Sequence, residues 1–217
     1  MEIGSRQMAT PSLQHFEGWL IDFDGTLVDT LTVAKKIYCE WLMKYGVSGS
    51  EEEFQMINGL TIPQIIDLLC ARHGLKIDSV ERNEAIEGYK QAFNECMAAP
   101  FEGVREFLKA LYRAKKRVVI VSSSPLGRIA RTVSEQGWGA YIDSIISEGG
   151  GKASEQPFLQ AIESIHCETG QCVLIEDAPI ALATAKRMGL YTVSFGIEGG
   201  DIRVDSWFTL LNKVSST

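Results

Sequence analysis

Two aspartates, Asp22 and Asp24, stand one residue apart where an apolar run ends, and a Gly-Thr pair follows them. The apolar run, Trp19 to Ile21, is typical of a buried parallel strand. Because side chains alternate along a strand, the two carboxylates are predicted to point to the same side where the strand ends. Two carboxylates held close together resist simultaneous ionisation unless a cation lies between them. The pair therefore indicates a metal site that offers one carboxylate as nucleophile and the other as proton carrier.

Further polar residues follow two other predicted strands. Ser122 follows the run 117–121, and a hydroxyl with free backbone N–H groups at a helix start can hold phosphate oxygens. Glu176 and Asp177 follow the run 172–175, and their hard carboxylate oxygens suit Mg²⁺. Ligands of parallel sheets bind beyond the carboxyl ends of the strands, so these side chains are all expected at one edge of the sheet.

The elements that must position these residues alternate between helices and short apolar strands from Phe101 onward. The predicted strands are 117–121, 142–146, 172–175 and 191–195, and the predicted helices are 104–114, 126–136, 157–165 and 180–188. This alternation predicts an α/β fold with a Rossmann-like, three-layer core, in which helices cover both faces of a parallel sheet.

The segment between the first strand and this core has almost no β-branched runs, which indicates helices instead. The predicted helices are 31–45, one beginning after Ser50, 61–72 and 80–97. We therefore expect a flexible leader over residues 1–15, a catalytic core formed by 16–29 and 100–217, and an inserted α-helical cap domain over 30–99.

The composition of the 217-residue chain limits its partners. A net charge of −7 argues against nucleic acid or an anionic membrane as the main partner, and no apolar stretch approaches the roughly 20 residues that span a bilayer. Five irregularly spaced cysteines indicate reduced thiols and not a disulfide framework or a zinc site. We expect a soluble, cytoplasmic protein that is a monomer by default.

The sequence resembles the haloacid dehalogenase (HAD) superfamily, most of whose members are phosphatases. The string from Asp22 to Thr26 resembles its motif one, and Ser122 matches the first hydroxyl residue of its motif two. The presence of Asp24 favours phosphorus–oxygen chemistry, because dehalogenase members lack this second aspartate and phosphonatase members replace it with a small residue. The resemblance implies a phosphatase of the β-phosphoglucomutase and phosphoglycolate-phosphatase branch, with a small helical cap.

Two later motifs resemble the family's with substitutions. Lys152 and Phe158 keep the spacing of a Lys-Pro-x-Pro-x-x-Phe string, whose prolines are replaced by Ala153 and Glu155. The Glu-Asp-Ser-x-x-Gly string of motif four is matched by Glu176, Asp177, Ala178 and Ala181. These substitutions change the supporting residues but retain the ionisable groups.

The resemblance implies a role for each matched residue. Asp22 is expected to be the nucleophile that forms an aspartyl-phosphate, and Asp24 the acid and base. Phosphate oxygens are expected to bind Ser122, Ser123 and Lys152. Mg²⁺ is expected to bind Asp22, the main-chain oxygen of Asp24, Asp177, and Glu176 directly or through a water. Thr26 is expected to brace the turn, and Asp29 to steady the hinge.

Two alternatives to a phosphatase of a small phosphorylated metabolite stay open. The first is a phosphosugar mutase of the β-phosphoglucomutase type, but Ala34 and Ile62 stand where such members carry a histidine and an arginine. The second is a non-catalytic relative that binds a phosphorylated metabolite or a protein, suggested by the substitutions in the later motifs.

Overall fold

A computed structural model describes residues 12–57, 60–95, 97–147 and 152–215 of the chain. The first eleven residues of the expected leader, Gly59, Cys96 and the glycines before Lys152 lie outside the described residues. The chain forms two compact units, one from the residues up to Val28 together with those from Pro100 onward, and the other from Asp29–Ala99.

Helices and strands follow one another along the chain in an order close to the predicted one. They are β1 (Gly18–Ile21), α1 (Thr30–Met43), α2 (Glu51–Ile57), α3 (Ile62–His73), α4 (Ser79–Glu95), α5 (Val104–Arg113), β2 (Arg117–Ser122), α6 (Leu126–Glu135), β3 (Ser144–Ser147), α7 (Gln156–Ser164), β4 (Cys172–Glu176), α8 (Pro179–Met188), β5 (Tyr191–Phe195), β6 (Ile202–Val204) and α9 (Trp207–Ser215). The α/β class is confirmed. Strand β6 and helix α9 were not predicted from the sequence.

The sheet has six parallel strands in the order β3-β2-β1-β4-β5-β6. Strand β1 lies in the middle, so Ile21 has Ile120 of β2 on one side and Ile175 of β4 on the other. The strands at the centre are buried along almost their whole length, as their continuous apolar sequences require. The carboxyl ends of β1, β2 and β4 therefore lie side by side.

Helices cover both faces of this sheet. On one face, α7 and α8 pack with Phe158 and Ala185 against Leu20 and Leu174. On the other face, α5 and α9 pack against each other, and Trp207 and Trp19 both contact the ring of Phe107. Alternate residues of β1 thus point into two separate apolar layers.

The inserted unit consists of helices α1 to α4. Asp29 caps α1, because its carboxylate accepts hydrogen bonds from the backbone N–H and the hydroxyl of Thr32. Gly74 ends α3 in the left-handed conformation, with φ of 64°. Helix α4 packs against both α1 and α3. In the part of the chain that the structure describes, no helix is long and apolar enough to cross a membrane.

Candidate active site

Three buried polar residues lie where the central strands end. Asp22 follows β1, and its backbone N–H donates to the carbonyl oxygen of Ile175 at 3.0 Å, so the aspartate continues the strand pairing by one residue. Ser122 and Glu176 are the last residues of β2 and β4, on either side of β1. All three are at most 5% exposed. The sheet topology therefore gathers side chains that are far apart in sequence.

A tight turn after Asp24 holds the next part of the site. The backbone N–H of Gly25 donates to the carbonyl oxygen of Val28 at 2.9 Å, and Gly25 has φ of 79°, a conformation that favours glycine. A Cβ atom at Gly25 would lie only 2.0 Å from Oδ2 of Asp177. The turn and Asp177 are thus fitted together at a position where no larger residue has room.

Thr26 supports the same turn from two sides. Its hydroxyl donates a hydrogen bond to Oδ1 of Asp177 at 3.5 Å. Its carbonyl oxygen accepts a hydrogen bond from the buried Nε1 of Trp207 at 2.9 Å. Helix α9, which was not predicted, therefore stabilises the turn that follows the two aspartates.

Three carboxylates form an acidic cluster, which we define as Asp22, Glu176 and Asp177. Each contributes an oxygen, and these oxygens lie within 4.8 Å of one another. The Nζ of Lys152 donates to Oδ1 of Asp22 and, at 2.7 Å, to Oε2 of Glu176. The other oxygen of Glu176 accepts the backbone N–H groups of Asp177 and Ala178, each at 3.1 Å. Glu176 thus fixes both the lysine and the start of the following loop.

The acidic cluster carries more negative charge than its surroundings balance. Burial, and then the neighbouring Glu176, raise the pKa of Asp22 to about 7, although Lys152 acts in the opposite direction. Burial likewise raises the pKa values of Glu176 and Asp177 to about 7. Burial would lower the pKa of Lys152, but its two carboxylate partners outweigh this and raise it. One ammonium group does not neutralise the two buried carboxylates and the half-buried Asp177, so the cluster fits a divalent cation with a preference for hard oxygen ligands, such as Mg²⁺.

Asp24 has a different set of partners. Its Oδ2 accepts hydrogen bonds from the hydroxyl of Ser124 at 2.6 Å and that of Ser122 at 3.3 Å. Its Oδ1 forms an ion pair with Nη1 of Arg128 at 2.5 Å. The Asp24 side chain is 27% exposed, whereas that of Asp22 is 4% exposed. The two aspartates of the motif therefore lie in distinct environments.

The predicted site residues are distributed over these two groups and the loops beside them. The acidic cluster and Lys152 are in direct contact, and Asp24 contacts Ser122. Ser123 is exposed in the loop between β2 and α6. The substituted residues Ala153 and Ala178 contribute main-chain contacts. The backbone N–H of Ala178 donates to Glu176, and the carbonyl oxygen of Ala153 accepts a hydrogen bond from the Thr184 hydroxyl at 3.4 Å.

The contacts of Ser124 and Arg128 with Asp24 were not predicted from the sequence. Arg128 is the third residue of α6 and is only 6% exposed. A cation in the first turn of a helix opposes the helix dipole, and arginine is rarely buried without a partner. An arginine six residues after Ser122, in the first turn of a predicted helix, could thus have been identified as a partner for an acid at the strand ends.

Comparisons with known proteins agree with this geometry. The family described as haloacid dehalogenase-like hydrolase matches residues 19–195. The chain is 20% identical to a 6-phosphogluconate phosphatase of Escherichia coli, over 76% of each chain. It is 22% identical to a validoxylamine A 7′-phosphate phosphatase of Streptomyces hygroscopicus, over 80% of this chain and 83% of that one.

Among solved structures, the β-phosphoglucomutase of Clostridium difficile shares the fold. Its TM-score is 0.68 at 16% identity, covering 90% of this chain and 93% of that one. The family match extends from β1 through β5 and so includes every strand end at the site. The chain belongs to the haloacid dehalogenase-like hydrolase family.

Proposed function

We propose that this chain is a Mg²⁺-dependent phosphatase that hydrolyses small phosphorylated metabolites through an aspartyl-phosphate on Asp22. The observation that carries the proposal is the acidic cluster in contact with Lys152, with a second aspartate two residues after Asp22. The two curated relatives described above are named as phosphatases of small phosphorylated molecules, which supports this substrate class.

Mg²⁺ fits the donor set of the acidic cluster. We assign Asp22 and Asp177 as carboxylate ligands, together with the main-chain oxygen of Asp24, and Glu176 as a ligand or as a residue acting through a water. When bound, the ion would neutralise the charge of the cluster and of a phosphoryl group. Glu176 already binds Lys152 and two backbone N–H groups, so its second task is to hold the site in shape.

Two carboxylates carry the proposed reaction. In the first step an oxygen of Asp22 bonds to phosphorus, and the bond from phosphorus to the alcohol oxygen breaks. Asp24 gives its proton to that oxygen, and the alcohol leaves. In the second step Asp24 takes a proton from a water, whose oxygen attacks phosphorus, and phosphate leaves as the Asp22 carboxylate is restored.

Other residues bind and orient the phosphoryl group. We assign Ser122, Ser123 and Lys152 to its oxygens, because a hydroxyl, backbone N–H groups and an ammonium group at the strand ends stabilise the charge that develops there. We also propose that the helical unit Asp29–Ala99 is the cap domain, a role supported by its compactness and its insertion directly after the turn that follows β1.

The test is the loss of activity in Asp22→Asn. Purified wild-type protein is expected to release phosphate from a panel of small phosphomonoesters in Mg²⁺, and EDTA is expected to abolish this release. Asp22→Asn is expected to lower the rate by on the order of 10³-fold or more, because an amide is not a nucleophile here. Asp205→Asn, at an aspartate 69% exposed in the same compact unit, is the matched control and is expected to keep full activity.

Binding of a phosphate analogue separates chemistry from folding. Beryllium fluoride with Mg²⁺ is expected to raise the Tm of the wild type, because it forms an analogue of the aspartyl-phosphate, and to leave the Tm of Asp22→Asn unchanged. Substantial Mg²⁺-dependent turnover in Asp22→Asn would contradict the proposed nucleophile. Interconversion of sugar phosphates faster than phosphate release would favour a mutase instead.

A further inference from the structure

Arg128 occupies a buried position that is defined by Asp24. Its Nη1 lies 2.5 Å from Oδ1 of Asp24 and 2.8 Å from the hydroxyl oxygen of Ser124. Its guanidinium group lies over the ring of Phe23, 5.3 Å from the ring centroid. The side chain is 4% exposed. A buried arginine with an acid, a hydroxyl and an aromatic face around it has little freedom to move.

The three partners of Asp24 form one connected set. The Ser124 hydroxyl donates to Oδ2 of Asp24, while its oxygen accepts from Arg128. Arg128 therefore holds Asp24 twice, through direct contact with one carboxylate oxygen and through Ser124 to the other. Ser122 is the weaker partner, at 3.3 Å.

When phosphate binds, the orientation of the Asp24 carboxylate would depend more strongly on Arg128. Ser122 is assigned to the phosphoryl oxygens, so its hydroxyl would turn from Asp24 towards the substrate. Ser124 and Arg128 would then remain to orient the carboxylate. Without the arginine, the Asp24 side chain would have one hydroxyl to fix it.

We propose that Arg128 is a positioning residue, which orients the Asp24 carboxyl group for proton transfer to the leaving alcohol. The proposal rests on the proposed phosphatase function and extends it to a residue outside the motifs. Arg128 need not touch the substrate, because it acts through Asp24. The loss of kcat/KM on replacing Arg128 should therefore depend on how much the leaving group needs a proton.

The test compares two kinds of phosphomonoester. An alkyl phosphate has a poor leaving group that needs a proton from Asp24, whereas 4-nitrophenyl phosphate releases a stable anion that does not. The value of kcat/KM reports only the steps up to release of the alcohol or phenol, and so excludes the later attack by water. The alkyl substrate is the phosphorylated polyol or organic acid that the wild type hydrolyses fastest.

The main variant is Arg128→Met, which keeps the approximate length but removes the charge and the hydrogen bonds. We expect kcat/KM for the alkyl phosphate to fall on the order of 10- to 100-fold, since well-placed proton transfer contributes about 10²- to 10⁴-fold. We expect kcat/KM for 4-nitrophenyl phosphate to change less than about threefold. Arg113→Met removes an exposed arginine at the end of α5 in the same compact unit and is expected to leave both values unchanged.

Two further variants strengthen the test. Arg128→Lys retains the charge but provides a single point contact, so it is expected to recover part of the lost alkyl phosphatase activity. Ser124→Ala removes the second anchor of Asp24 and is expected to shift the substrate ratio in the same direction. The ratio of the two kcat/KM values does not depend on the fraction of active protein, so partial misfolding of Arg128→Met does not affect it. If Arg128→Met does not fold, the ratio of the two kcat/KM values is measured in Ser124→Ala and Arg128→Lys instead.

The outcomes separate this proposal from the proposed function. Equal losses for both substrates in Arg128→Met, with no recovery in Arg128→Lys, would overturn the positioning role while leaving the phosphatase intact. Absence of phosphate release from every substrate by the wild type would instead refute the proposed function.

Discussion

Replacing Gly25 by alanine should weaken metal binding through a collision with Asp177. The added Cβ would lie 2.0 Å from Oδ2 and 2.9 Å from Cγ of Asp177. Because both atoms are too close, rotation of the carboxyl group alone does not relieve the contact. Oδ2 must move by about 1.4 Å to reach the 3.4 Å at which ordinary contact begins, so the whole side chain must turn. Asp177 would then leave the acidic cluster.

Gly189→Ala provides a matched control for the backbone strain. Gly25 and Gly189 have similar φ values, 79° and 86°, and both belong to the same compact unit. A Cβ at Gly189 would have no heavy atom within 4 Å. Both variants should therefore lose about 1 kcal/mol of stability from left-handed strain, and only Gly25→Ala should disturb the metal site.

The assay is phosphate release as a function of Mg²⁺ concentration, with thermal unfolding in EDTA as the measure of stability. We expect the Mg²⁺ concentration for half-maximal activity to rise roughly 10- to 100-fold in Gly25→Ala, as for loss of a residue that supports a metal. Gly189→Ala should match the wild type. The same Mg²⁺ requirement in both variants would refute the coupling of the turn to Asp177.

Two other predictions concern stability. The pKa values of the acidic cluster are raised to about 7, so its carboxyl groups favour folding while protonated. In EDTA the Tm should therefore fall as the pH rises from 5 to 8, and Mg²⁺ should reduce this fall. A pH-independent Tm in EDTA would contradict this prediction. In urea unfolding, Trp207→Phe should lose about 1 kcal/mol more free energy of unfolding than Trp138→Phe. Nε1 of Trp207 donates to the carbonyl oxygen of Thr26, whereas Nε1 of the equally buried Trp138 has no partner among the described residues. Equal losses would show that the hydrogen bond of Trp207 contributes nothing to stability.

Elements with strong local signals could be predicted from the sequence. The predicted ends of helices and strands after the first strand lie within two residues of those in the structure, because continuous apolar runs and caps such as Gly74 mark them; for the helix after Ser50 only the start was predicted. The exception is the end of the chain. Strand β6 has three residues with an exposed Arg203 in its centre, and it is defined by pairing with β5 and not by its own pattern. Each residue of β6 pairs with a residue of β5 that lies nine positions earlier in the chain.

The residues of the candidate site that could be predicted are those that lie at the ends of strands. Asp22, Ser122 and Glu176 each close an apolar run, and the parallel topology then brings them together. Arg128 lies inside a helix, where an arginine is ordinarily a surface residue. Its burial follows from the ion pair with Asp24, which is 104 residues away in sequence. The local sign of such a contact is a cation in the first turn of a helix, where it opposes the helix dipole, and this sign does not name the partner.

In the proposed mechanism the two aspartates of the motif have different tasks, and a different cation holds each of them. Asp22 is almost fully buried and shares Lys152 with Glu176, so its carboxylate is fixed within the acidic cluster. Asp24 is more exposed, and Arg128 and Ser124 hold it beside the loop after β2. Strand alternation alone would place both carboxylates on one side with equal roles. The division between nucleophile and proton carrier thus comes from residues on other elements, which is why replacing Lys152 and replacing Arg128 should impair different steps of the reaction.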